Sequence, residues 1–112
     1  METANVVAAL SALAQETRLA IFRLLVRTGP EGLSAGAISR NVGVVASTLS
    51  HHLGLLEQAR LIRSTRHGRN VIYRSDVEGI RALLRFLVED CCGGRPDLCG
   101  DLAPLALDSA AD

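Results

Sequence analysis

The chain has 112 residues, zero formal net charge, 48% apolar and 3% aromatic residues, and no Trp, which allows one aliphatic core and excludes two. The apolar run between Met1 and Ala14 has no basic n-region, carries Glu2, and is too short to span a bilayer. Neither a signal peptide nor a membrane anchor is therefore expected, and the expected compartment is the cytoplasm, where thiols stay reduced.

Val6, Val7, Leu10 and Leu13 are spaced for one face of a first helix. A second helix fits Thr17 to Thr28, with Leu19, Ile21, Phe22, Leu24, Leu25 and Val26 largely buried and Gly29-Pro30 as its stop. Ser34 reads as the N-cap of a short helix, Ala35 to Asn41, that ends near Gly43. The next helix runs from about Ala46 to Ala59 with Leu49, Leu53 and Leu56 facing inward. The period then changes. Leu61 to Thr65 and Val71 to Ser75 are short β-prone runs around Arg66-His67-Gly68-Arg69-Asn70, a hairpin with a basic tip and Gly68 at a positive-φ position. Asp76 is suited to cap a last helix in which Ile80, Leu83, Leu84, Leu87 and Val88 form a stripe; that helix ends near Gly93-Gly94. Residues 1–92 thus form the folded unit, and 93–112 a C-terminal tail that carries the third cysteine.

This order predicts a mainly α fold with a small β-hairpin wing, a winged helix-turn-helix. In such a motif the second helix enters the major groove with its N-terminal residues facing base edges. Here those residues are Ser47, Thr48, Ser50, His51 and His52, polar groups short or flat enough to approach bases closely. Arg66, His67 and Arg69 at the hairpin tip are placed to meet phosphate or the neighbouring minor groove. Charge distribution agrees. Residues 40–74 hold six arginines against Glu57 alone, whereas 86–112 hold six acids against Arg95 alone. Read singly, Ser47 and Thr48 are capping residues and the arginines a solvated surface; together they point to double-stranded DNA.

Residues from about Leu10 to Tyr73 resemble the ArsR/SmtB family of winged-helix, metal-responsive repressors. The resemblance is carried by Leu13-Ala14-Gln15-Glu16-Thr17-Arg18-Leu19-Ala20-Ile21 and by Ser47-Thr48-Leu49-Ser50-His51-His52-Leu53. It continues in Ala59-Arg60-Leu61-Ile62 and Gly68-Arg69-Asn70-Val71-Ile72-Tyr73. It implies a homodimer that represses an operon until an inducer releases it from a palindromic operator. The last-helix stripe (Ile80, Leu83, Leu84, Leu87, Val88), helped by Val6, Leu10 and Leu13, is the expected dimer interface.

The cysteines Cys91, Cys92 and Cys99 lie at or just beyond the end of the last helix. The intervening Gly93-Gly94 and Arg95-Pro96-Asp97-Leu98 can bring Cys99 back toward the pair. Three thiolates with no nearby His select a thiophilic ion, and zinc normally takes four ligands. Trivalent arsenic, or antimony, forms three pyramidal bonds and suits the triad. Arsenite-responsive members of the resembled family use such triads at different points of the scaffold. The familiar Cys-x-Cys-x-x-Cys at the first helix of the motif is missing here, where Leu33 to Ile38 contains no cysteine. The last helix also lacks the Asp and His ligand set of zinc-sensing members. Cadmium or lead binding, a thiol-oxidation switch, and plain packing of the cysteines are the alternatives. An arsenate reductase is not expected. No Gly-rich anion loop precedes any cysteine, and a helix C-terminus disfavours thiolate.

Overall fold

The computed structural model describes residues 2–92. Its elements are α1 (Thr3–Leu13), α2 (Glu16–Thr28), β1 (Leu33–Ser34), α3 (Ala35–Val42), α4 (Ala46–Gln58), β2 (Ile62–His67), β3 (Asn70–Ser75) and α5 (Val77–Cys92). The expected winged helix-turn-helix is present, with helix ends where the local chemistry places them. Gln15 Oε1 accepts from the Arg18 amide at 2.8 Å and opens α2. Ser34 Oγ accepts from the Ala37 amide at 3.2 Å and opens α3, which Gly43 closes in the left-handed region. Asp76 Oδ1 accepts from the Gly79 amide at 3.1 Å at the start of α5.

The wing is an antiparallel hairpin in which Ile62 pairs with Ser75 and His67 with Asn70. Its two-residue turn has a positive φ (64°) only at Gly68, the arrangement of a type II′ turn. One strand was not legible in the sequence. The two-residue β1 pairs antiparallel with β3, Leu33 opposite Tyr73 and Ser34 opposite Ile72, giving the order β1-β3-β2. Two residues are too few for a period, so only the tertiary contact reveals it. The consequence is mechanical: the residue that caps α3 also belongs to the wing sheet.

The core gathers under the motif. Ile21, Leu25, Ile38, Leu49, Leu56, Leu61 and Ile62 are fully buried, so every element of the motif contributes at least one anchor to the same cluster. The turn from α4 to β2 is held by Arg60 at φ 61°, and α5 passes close beneath it. A Cβ on Gly79 would lie 1.8 Å from the Arg60 carbonyl oxygen, so only glycine permits that approach.

Expectations about apolar faces need correction on three helices. Helix α1 turns Val6, Ala9 and Ala12 inward and leaves Val7 and Leu10 exposed. The alanines, having no bulk, let α1 lie close against α2 and α4. Val6 therefore belongs to the protomer's own core, as do Leu83 and Val88 of the α5 stripe, all at 8% exposure or less. The stripe of α5 is broad enough for one edge to pack on the protomer while Leu84, at the other edge, stays 38% exposed. On α2 likewise, Leu19 and Val26 face outward, and only Ile21 and Leu25 are fully buried. Helix α5 takes in the backbone of Cys91 and Cys92. The triad expectation as a whole, with Cys99 and the tail 93–112, lies outside the described residues.

Candidate nucleic-acid interface

Helix α4 divides sharply between two faces. Leu49, His52, Leu53 and Leu56, at i, i+3, i+4 and i+7, are buried against the body. Ser47, Thr48, Ser50 and His51 lie on the opposite, exposed side of the same first two turns. The helix opens at Val45, whose side chain makes no cap bond. Ser47 and Thr48 are thus not the residues that cap it, and their hydroxyls face outward. With no acidic residue in the first turn, the open N–H groups and the helix dipole favour an approaching anion.

The wing presents Arg66, His67 and Arg69 at its exposed tip. Its position relative to α4 is set by local bonds. Ser64 Oγ on β2 donates to Glu57 Oε2 on α4 at 2.7 Å, and the Asp76 amide donates to the Leu61 carbonyl at 3.0 Å. Arg74 donates to Thr65 Oγ1 across the strands. The hairpin, α3 and α4 form one frame that holds a polar helix face and a basic tip together.

His52 departs from the expectation that it faces DNA. It is 9% exposed, on the inner side of α4, with its Nδ1 3.2 Å from Arg18 Nη1. The helical period is the cause: 100° beyond His51, position 52 falls in line with Leu49 and Leu56. Burial, then the Arg18 charge, then His51 hold its pKa below the usual 6.5, so the ring is neutral. Since a guanidinium can only donate, Nδ1 accepts and the proton sits on Nε2. Sequence reasoning missed Arg18. The available signal was a cation in the first turn of α2, where the helix dipole disfavours it unless a specific partner holds it.

A second surface lies between α1, α2 and α5. It is an open groove of about 890 Å³ with an almost entirely apolar lining that includes Leu10, Leu13, Phe22, Val26, Ile80, Leu84 and Leu87. Most of the expected dimer residues that are not buried in the protomer meet here. No three His, Cys, Asp or Glu among the described residues are grouped to hold a metal ion.

Comparison with known proteins agrees with this geometry. A helix-turn-helix domain family model matches residues 13–65. The HTH-type transcriptional regulator YgaV of Escherichia coli K12 is 33% identical over 85 residues, 76% of this chain and 84% of that protein. An ArsR-like transcriptional regulator from Rhodococcus sp. RHA1 superposes with a TM-score of 0.72 at 25% identity, over 86% of this chain and 88% of that one. This chain is a winged helix-turn-helix transcriptional regulator of the ArsR type. The homodimeric winged helix-turn-helix DNA-binding domain of Mb0332 from Mycobacterium bovis is also similar, with a TM-score of 0.62 and 26% identity over 80% of this chain and 81% of that one. These relatives of the ArsR-type chain are named as regulators, not enzymes. Among its described residues, no helix is long and apolar enough to cross a membrane.

Proposed function

We propose that this ArsR-type regulator is a repressor that binds operator DNA as a homodimer and leaves it when trivalent arsenic or antimony binds Cys91, Cys92 and Cys99. The observation that carries the DNA-binding mode is the two-faced α4. Its inner face is locked in the core, and its outer face offers Ser47, Thr48, Ser50 and His51 beside a basic wing tip. Placed in the major groove, that face reads base edges while Arg66, His67 and Arg69 meet phosphate. The apolar groove supports dimerisation, since Leu10, Val26 and Leu84 stand exposed along it and a partner's matching face would remove them from water.

The inducer reading rests on the residues' chemistry. Arsenous acid exchanges its three hydroxyls for three thiol sulfurs and releases three waters, with no change of oxidation state. Cys91 and Cys92 lie in the last turn of α5, whose earlier turns border the apolar groove. Drawing Cys99 toward them would shift α5 against a partner seated there and spoil the roughly 34 Å spacing of two recognition helices. Release requires tighter inducer binding to the free dimer than to the DNA-bound one, typically by about 1–3 kcal/mol.

The test is a titration of the protein–operator complex with arsenite, antimonite, cadmium, lead, zinc and peroxide. Each Cys→Ser variant should bind operator normally and lose or blunt its response to arsenite. A triple variant still released by arsenite would refute the site. Release of the unmodified protein by cadmium, lead or peroxide but not arsenite would keep the repressor and change the inducer.

A further inference from the structure

The part-buried contact between Arg18 and His52 links three helices that the DNA-binding reading treats separately. Arg18 stands in the first turn of α2. Its Nε donates to the Ala12 carbonyl near the C-terminal end of α1 at 2.7 Å, and its Nη1 donates to His52 Nδ1 on α4 at 3.2 Å. We propose that Arg18 and His52 are positioning residues, a hydrogen-bonded strut that sets the seating of the recognition helix relative to the end of α1.

Three observations support a positioning role over simple core filling. His52 is the one buried polar residue among the described residues, in a core otherwise aliphatic. A histidine there is out of place unless its hydrogen bond matters. Beside the strut, α1 and α4 do not fill the space between them. An open hollow of about 200 Å³ lies there, lined by Ala8, Ser11, Ala12, Arg18, Leu55, Gln58 and Ala59. The small residues that bring α1 close to α4 interlock little and border this hollow, so packing constrains the seating less than bulky side chains would, whereas two directed bonds from one rigid guanidinium define it. Finally, the strut's buried ends lie next to functional surfaces. His52 adjoins exposed His51 on α4, and Ala12 is one residue from Leu13 and two from Leu10 of the apolar groove on the same helix. A shift of α1 at that groove would therefore reach the recognition helix through Arg18.

The inference rests on α4 being the recognition helix, and the experiment separates the two. Binding to operator and to random duplex is measured for the full chain, His52→Asn, His52→Leu and Arg18→Lys, each checked for folding by circular dichroism. Asn keeps an acceptor at the place of Nδ1, Leu removes it, and Lys keeps the charge but cannot bridge both acceptors. We expect His52→Asn within about threefold of the parent, and His52→Leu and Arg18→Lys to lose about tenfold in operator affinity. Random-duplex binding should stay unchanged, so the specificity ratio falls, which a loss of folded protein would not produce. Operator binding by both Leu and Lys variants at parental specificity would overturn the inference and leave the DNA-binding mode intact. A parent chain that binds no duplex would instead remove the DNA-binding mode itself. If His52→Leu does not fold, Arg18→Lys decides, together with imidazole ¹⁵N shifts of the parent. Those should report a neutral ring protonated on Nε2, and a His52 protonated on Nδ1 at pH 7 would overturn the strut.

Discussion

A histidine held neutral in a core ties stability to pH in a direction that can be worked out. The unfolded chain takes up a proton on His52 near the ordinary value of 6.5, while the folded chain resists it because of burial and the Arg18 charge. The stabilisation is complete above 6.5 and is lost as pH falls from there toward the lower folded-state value. The urea midpoint should drop between pH 7.5 and 5.5. In His52→Asn, which has no imidazole, that drop should shrink. An equal drop in both proteins would assign the pH dependence to other groups.

At the scale of elements, the proposed DNA-binding mode divides the work of recognition between α4 and the wing. Ser47 and His51 on the outer face of α4 are placed for base edges, so substituting either should change sequence preference along with affinity. The loss should be about 1–3 kcal/mol at the base pair concerned. Arg69, exposed at the turn of the wing, is placed for phosphate. Arg69→Ala should weaken binding to every sequence alike and reduce the salt slope by about one. An unchanged slope in fluorescence titrations at graded salt would mean that the wing tip does not touch the backbone. These two behaviours are separable because the wing is tied to the motif by bonds that do not involve Arg69. The Ser64–Glu57 bond and the β1–β3 pairing hold the wing to the motif whether or not Arg69 is present.

For the whole molecule, the question is what covers the apolar groove. In the proposed homodimer a second copy does so, pairing the exposed edge of α5 and the outer side of α1 with the same surfaces of a partner. Leu84, exposed in the groove lining but outside the protomer core, is the residue with which to test this. Leu84→Glu should keep the protomer fold by circular dichroism and sediment as a monomer, because the charge disturbs only the paired face. Leu83, buried at 5% exposure, would be a poor choice, since its replacement would unfold the protomer as well. A parent chain that sediments as a stable monomer would remove the dimer from the proposal.

Local chemistry was enough to place most of the fold. The caps at Ser34 and Asp76, the stop at Gly29-Pro30, the Gly68 turn and the aliphatic periods of α4 and α5 all act within a few residues, so the chain itself specifies those elements. The outward face of α4 followed from the same period, with His52 as the exception. The period does separate the two histidines, since position 52 shares a face with Leu49 and Leu56, but only the packing of α4 on α2 decides that the inward one meets Arg18. The faces of α1 were misjudged for a related reason. Val6, Val7, Leu10 and Leu13 read as one face, yet close helix approach turned Val6 inward with the alanines at 9 and 12 and left Val7 and Leu10 outside. Strand β1, the near contact of Gly79 with Arg60, and the split of the α5 stripe between core and groove depend on residues distant in the chain. Period and capping determine which residues share a face. What that face meets is settled only when the elements pack.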